Sequence, residues 1–439
     1  KTLNKTLTSK KEHPTLKTWL TIEEASDAIN NIIELWWWLP SKIHWAVSHN
    51  WEELSDKDLI ALIETELWIT EFDEDYKKIV WWNIKKWKFD PSILHSIYMS
   101  LSALNDAKLL WQKWVDEKNT SINLWHWFAW LRNVERDWMM WWLFIWSKLA
   151  MWAKHLVGSL PNMTAPIVAN VLNTHAWATV DDEACAAAWY AYERAILQII
   201  NWKTDVAVAW WCDAVSDSMY ALWAFWRMWA LAKWYEENPN DASRPFASEL
   251  EWKSKWFVLW DWGWVSVLEL QSHANSRWIK TMSKISGIWS STCNPMHVEW
   301  TWLSSWTIDW QSLSMKNALK SANITPEQFV KEDWVIFAHG TSTEKWDETE
   351  AKSINKVFWE KVNVTWVKWI LWHSLWGSSA QSVSIAVSSM MKNIIPGTHN
   401  YNDNNKMGWI PDLNILDQNK SWQVKYILIN SFWFGGHNI

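Results

Sequence analysis

Asp181-Asp-Glu-Ala-Cys-Ala-Ala-Ala-Trp-Tyr-Ala-Tyr-Glu-Arg-Ala-Ile-Leu-Gln-Ile-Ile200, followed by Asp205-Val-Ala-Val-Ala209, is the stretch on which the architecture turns. Ala188, Ala191, Tyr192, Ala195, Ile196, Ile199 and Ile200 recur at three-and-four spacing, which predicts a helix with one buried face. The unbroken apolar run at 205–209 predicts a short strand buried on both sides. A buried helix feeding a doubly buried strand argues for an α/β architecture. Cys185 stands at the start of that helix, where unpaired backbone N–H groups and the positive end of the dipole favour a thiolate. Taken alone, the stretch fits a small core thiol better than a nucleophile, because most buried cysteines are packing residues.

The same alternation continues outward. A break at Asp90-Pro91 precedes a helix expected over 92–110, and another helix is expected to begin at 161–163. Residues 257–259 and 265–270 read as a strand pair joined by the turn Trp260-Asp-Trp-Gly-Trp264. Helices are expected at 313–322, 348–358 and 379–391, with strands at 334–337 and 424–429. Residues 1–90 read as a partly helical region with a capping-box pattern at 21–24 and a second helix opening at Ser55. Residues 91–270 and 271–439 then form two fused halves, a division that suits a chain of 439 residues.

Composition narrows the function. Net charge is −7, with 41 basic and 48 acidic residues and no basic stripe, so nucleic acid is not an expected partner. Cys185, Cys212 and Cys293 show neither metal spacing nor a disulfide framework, as in a reducing cytoplasm. Residues 1–20 lack a secretory pattern. The most apolar run, 138–157, is interrupted by Lys148 and Lys154 and is a poor membrane span. The chain starts without methionine, as a fragment would.

One feature of the composition is anomalous. The chain has 50 Trp and only 9 Gly, where average usage of about 7% would give roughly 30 Gly. Tryptophan stands after helix ends (Asn201-Trp202), before strands, and in pairs such as Trp210-Trp211, places that often demand a positive φ or a close backbone approach. We expect most of these positions to be glycine in the natural protein. A codon read as Trp in one genetic code and Gly in another, with UGA the candidate, would produce the pattern.

Chemistry-bearing residues gather in the second half. Ala338-His-Gly-Thr-Ser-Thr343 follows directly on an apolar strand, a position typical of a site, with Asp347 and Glu350 on the next helix. Val367-Lys-Trp-Ile-Leu-Trp-His373 sets Lys368 five residues before His373 and leads into a small-residue helix. Each histidine alone reads as structural. Cys185 with two histidines on separate strand-to-helix turns makes a nucleophile-and-base constellation.

With Trp read as Gly, residues 368–380 become Lys-Gly-Ile-Leu-Gly-His-Ser-Leu-Gly-Gly-Ser-Ser-Ala. That resembles the lysine-to-histidine motif of the β-ketoacyl-acyl-carrier-protein synthases, the elongating condensing enzymes of the thiolase superfamily. Residues 338–343 with Asp347 and Glu350 are similar to the family's other histidine motif. Ala184-Cys-Ala-Ala-Ala-Trp189 is similar to its nucleophile motif, 257–264 to its glycine-rich turn and Asn430-Ser-Phe-Trp-Phe-Gly-Gly-His-Asn438 to its C-terminal motif. Five motifs in order, from about residue 90 to the end, are far more specific than any one. Trp260, Trp262, Trp264, Trp372, Trp376 and Trp433 all fall where the family has glycine.

The resemblance implies a thiolase-like α/β fold, two similar halves stacked α-β-α-β-α with a five-stranded mixed sheet in each. It implies Cys185 as acyl-accepting nucleophile, with His339 and His373 assisting decarboxylation of a malonyl thioester. Lys368 and Glu350 would fix the histidines, and Thr341 and Thr343 would hold the pantetheine arm. Phe434 would gate the cysteine and share an oxyanion hole with the Cys185 N–H. Acyl carrier protein is the implied partner, the implied assembly is a homodimer, and no cofactor or metal is implied.

Fatty-acid synthesis is the implied pathway, with a polyketide ketosynthase, a non-catalytic chain-length partner or an inactive misread product as alternatives. Lys253 and Lys255 are candidates for carrier docking. Three departures stand out: Asp182-Glu183 before the nucleophile, His437 where threonine is usual, and an end at Ile439 short of the family's last strand.

Overall fold

The computed structural model describes residues 74–86, 91–110, 119–125, 161–181, 184–212, most of 223–248, 256–259, 263–292 and, with short breaks, 305–439. The capping box at 21–24, the helix from Ser55, the apolar run 138–157, Asp182, Glu183, Lys253, Lys255 and Phe434 lie outside the described residues. Among the described residues no helix is long and apolar enough to cross a membrane.

The first half comprises α1 (Glu74–Lys86), α2 (Pro91–Asp106), β1 (Thr120–Trp125), α3 (Thr164–Val171), β2 (Ala178–Asp181), α4 (Ala187–Ile200), β3 (Val206–Cys212), β4 (Gly263–Glu269) and α5 (Gln271–Ser276). Its sheet runs β2-β1-β3-β4. The β1 strand is parallel to both neighbours, with Ile122 opposite Ala178 and Val208, and β4 is antiparallel to β3. The central strands are buried on both faces because α2, α3 and α4 pack against the sheet.

The second half comprises β5 (Ser291–Thr292), α6 (Ser305–Ser321), α7 (Pro326–Lys331), β6 (Val335–Phe337), α8 (Glu344–Phe358), β7 (Asn363–Thr365), α9 (Lys368–Leu371), α10 (Ser378–Lys392), β8 (Ile394–Ile395), β9 (Asn414–Ile415), β10 (Lys420–Ser421), β11 (Ile427–Ile429) and β12 (His437–Asn438). Its sheet runs β11-β6-β7-β9, parallel throughout. Short antiparallel ladders join β8 to β10 and β5 to β12. Helix α10 packs on α4 and touches β4 and β11, so α4 and α10 form a helical layer between the two sheets.

Among the described residues each main sheet has four strands, the first mixed and the second parallel. Two sequence-based expectations need correction. The strand pair 257–259 with 265–270 does not form. Strand β4 instead pairs along its whole length with β3, while Phe257 and Leu259 make single bridges to Leu231 and His373. Seven paired residues on β3 give far more ladder than a three-residue hairpin arm could. Finally, Ile200 is 54% exposed, because the buried face of α4 follows Ala188, Ala191, Tyr192, Ala195 and Ile199.

The helix ends test the tryptophan anomaly directly. Helix α4 closes with Trp202 N–H on the Ile199 carbonyl (3.1 Å) and Lys203 N–H on Gln198 (2.9 Å). Helix α5 closes the same way, Trp278 on Asn275 (3.1 Å) and Ile279 on Ala274 (3.0 Å). Both are Schellman motifs, whose first residue beyond the cap is left-handed and usually glycine. Here those residues are Trp202 and Trp278, each at φ 58°, and Trp359 ends α8 at φ 51°. Other left-handed helix ends carry Asn173, Asn323, Asp333 and Asn393, short polar residues that tolerate the conformation, and Lys108 at φ 57°. Glycine closes none of the described helices.

Candidate active site

The nucleophile turn follows β2. Residues 184–186 form a 3-10 turn ahead of α4, and Cys185 is fully buried within it. Its thiol lies 3.2 Å from Nε2 of His373. Its carbonyl accepts the Ser431 hydroxyl at 2.9 Å, which ties the turn to the C-terminal segment. Asp181, just upstream, is buried against Arg194 at 2.5 Å. Burial raises its pKa and Arg194 opposes the rise.

His373 lies on the corresponding turn of the second half, between α9 and α10. Its N–H bonds the Val258 carbonyl at 2.8 Å, and the edge-on ring of Phe257 lies 5.3 Å from the imidazole. The preceding residue, Trp372, has φ 51° and ψ −162°, close to a region that is essentially glycine's own.

His339 follows β6 on a turn held by carboxylates from α8. Glu350 accepts the His339 N–H at 2.7 Å, the Gly340 N–H at 2.9 Å and the Asn430 amide at 3.0 Å. Asp347 accepts Thr341 N–H at 3.1 Å and Phe246 N–H at 2.9 Å. Gly340 sits at φ 39° with the Trp366 ring beneath it, so a side chain there would be strained and crowded. Lys368 is buried and donates to the His339 carbonyl. The two imidazoles meet edge to face at 5.7 Å.

The electrostatics follow from burial. His339 and His373 are pushed well below the ordinary histidine range, first by desolvation and then by the Lys368 charge, so both are neutral at pH 7. Desolvation raises Glu350 to about 7 against its hydrogen bonds, and it lowers Lys368 to about 8 against the pull of Glu350, Cys185 and Asp347. The Nδ1 atoms of both histidines lack a protein partner.

One cavity is lined by Cys185, Phe257, His339, Thr341, Thr343, Trp346, His373 and Phe432. The structure thus gathers Cys185, His339, His373, Thr341 and Thr343 around one space, with Lys368 and Glu350 behind the His339 turn. Phe434 lies outside the described residues. Sequence reasoning gave no role to Ser431, Asn430, Phe257 or Trp346. The first three stand inside the quoted motifs, and that was their available signal. Chemically, the thiol can accept an acyl group, and the two neutral imidazoles can then donate hydrogen bonds to a developing enolate.

Residues 306–402 match the family described as β-ketoacyl synthase, C-terminal domain. The 3-oxoacyl-[acyl-carrier-protein] synthase 2 of Vibrio cholerae is 31% identical over 208 residues, 46% of this chain and 47% of that protein. The synthase of the same name from Mycobacterium leprae is 25% identical over 286 residues, 64% of this chain and 63% of the relative. The matches thus span from about half to under two thirds of these relatives' length. Among solved structures, a ketosynthase complex with a type II PKS acyl-carrier protein aligns with TM-score 0.69 at 21% identity, over 80% of this chain and 83% of that one. A β-ketoacyl synthase from Burkholderia phymatum aligns with TM-score 0.68 at 19% identity, over 84% and 83%. The fold is therefore the thiolase-like fold of ketosynthases.

Proposed function

From a chain whose residues 306–402 are a β-ketoacyl synthase C-terminal domain, we propose a condensing acyltransferase that extends an acyl thioester with a malonyl unit. The observation that carries this reading is the Cys185 thiol 3.2 Å from His373, with His339 facing the same cavity. The Cys185 sulfur attacks the acyl thioester carbonyl, and the carrier's pantetheine thiolate leaves and takes up the thiol proton. The Cys185 N–H, at the head of the α4 turn, faces the oxyanion. A malonyl thioester then loses CO₂. The two neutral imidazoles donate hydrogen bonds to the resulting enolate oxygen, which a charged, hydrated pair would do less selectively. The enolate carbon attacks the Cys185 thioester and the thiolate leaves, restoring the enzyme.

Lys368 and Glu350 act through the His339 backbone, one on its carbonyl and the other on its N–H. Thr341 and Thr343, which line the cavity, hydrogen-bond the pantetheine arm in this reading. Phe434 completes the oxyanion hole and gates the thiol in this reading. The carrier is an acyl carrier protein, the chain is of fatty-acid or polyketide type, and the assembly is a homodimer in the cytoplasm. The similarity to named synthases and the motif order support the carrier and the chain type; the homodimer and the cytoplasm follow from the family resemblance alone.

The test supplies acyl and malonyl carrier proteins and follows both the extended product and CO₂ release, beside Cys185→Ala. Loss of product with retained CO₂ release is expected, since decarboxylation is assigned to the histidines. Extended product from the alanine variant would refute the nucleophile.

A further inference from the structure

The catalytic cavity holds about 20 Å³, room for roughly one water. A pantetheine arm cannot enter it. Seven of its eight lining residues are buried, and Trp346 alone is half-buried, so the indole stands where the cavity reaches the surface. Next to His373, Trp372 holds a backbone conformation in which a Cβ is strained. Far from the site, Trp202, Trp278 and Trp359 take left-handed helix ends with their rings 82%, 95% and 68% exposed. Such rings pack on little, the Lys316 ammonium 5.5 Å from the Trp359 ring being an exposed contact, so the fold gains less from them than the strain costs. Three independent symptoms therefore have one origin: a narrow cavity, a strained catalytic turn and strained helix ends.

We propose that positions 202, 278, 346, 359 and 372 are glycine in the working protein, through a codon its source reads as glycine, and that glycine at 346 is what admits the carrier arm. The access claim rests on the condensing reading above; the helix-end claim does not. Glycine at 346 removes the largest side chain at the mouth while leaving Cys185, His339 and His373 in place. Glycine at 372 relieves the turn that aims His373 at the thiol.

The experiment compares the chain as written with three variants: W202G/W278G/W359G, the matching triple alanine, and W346G. Backbone relief predicts that the triple glycine raises the thermal midpoint by roughly 5 °C, while alanine, which keeps a Cβ, does not. Equal midpoints for glycine and alanine would overturn the helix-end claim. Entry is read with pantethine, whose disulfide is attacked by the Cys185 thiolate to leave a Cys185–pantetheine disulfide and release one pantetheine thiolate. Labelling is counted against C185A to remove Cys212 and Cys293. A small methanethiosulfonate reagent reports intrinsic thiol reactivity.

W346G should raise pantethine labelling at least tenfold with the small reagent changed less than twofold. Equal pantethine rates in both forms would overturn the gate while leaving the stability result standing. Peptide masses of the protein from its own cells complete the test. Glycine at 202, 346 and 372 is expected, and tryptophan there refutes the recoding.

Discussion

Replacing Glu350 with Gln should destabilise the protein in a pH-dependent way. One carboxylate accepts His339 N–H, Gly340 N–H and the Asn430 amide, at 2.7, 2.9 and 3.0 Å, using both oxygens. A glutamine offers one oxygen and one NH₂. Either orientation turns a donor toward a buried backbone N–H and removes the charge that pulls most on Lys368. A buried donor left without its acceptor costs about 1–3 kcal/mol, so a loss of about 2 kcal/mol is expected at pH 5.

The effect should shrink as pH rises. The folded pKa of Glu350, about 7, lies above its ordinary 4.5. Its stabilising contribution is therefore complete below 4.5 and is lost as pH rises through 7. Glutamine does not titrate, so between pH 5 and pH 8 the native protein loses about 3 kcal/mol relative to the variant. Urea unfolding at both pH values reads the difference: the variant's midpoint deficit should be largest at pH 5 and vanish or reverse at pH 8, a relative change of roughly 1 M. A deficit equal at both pH values, or larger at pH 8, would refute the burial-raised carboxyl assigned to Glu350.

Four further outcomes follow from the same geometry. Condensation should fall below about pH 7 and above about pH 8, where the Glu350 carboxylate or the Lys368 ammonium is lost. A rate profile flat from pH 6 to pH 9 would contradict it. For Lys368 the folded pKa is depressed, so its stabilising contribution is present above 10.5 and is lost as pH falls through 8. The loss is measurable as a Lys368→Met variant that is less destabilised at pH 7 than at pH 10. Ser431→Ala removes the bond to the Cys185 carbonyl, at about 1 kcal/mol, and should slow acylation roughly fivefold, read as a burst rate, with CO₂ release from the malonyl thioester unchanged. His373→Gln should slow thiol acylation by about 10²-fold or more, read by the same burst.

The strand before His339, the helix after Cys185 and the order of the chemistry-bearing residues were all legible, because each is written in one local stretch. Long-range pairing was not. Ser431 reaches Cys185 from 246 residues away, and Asn430 reaches Glu350 across 80. Local spacing cannot predict such contacts, and the hairpin expected at 257–270 failed for the same reason: β3 was the better partner.

The deepest of these long-range facts is a correspondence between the halves. Parallel strands run β2-β1-β3 in one sheet and β7-β6-β11 in the other. The turn and helix after β2 carry Cys185 and α4, and those after β7 carry His373 and α10. The two helices pack on each other and the two turns touch. Nucleophile and base thus occupy equivalent places in two similar units, so the 3.2 Å contact between them is set by how the halves face each other. The Ala184-Cys-Ala-Ala-Ala and Trp372-His-Ser-Leu-Trp stretches share almost no residues, which hid that equivalence in the sequence. It follows that a change at the α4–α10 contact, remote from any reacting atom, should lengthen the thiol–imidazole distance and slow acylation before it unfolds either half.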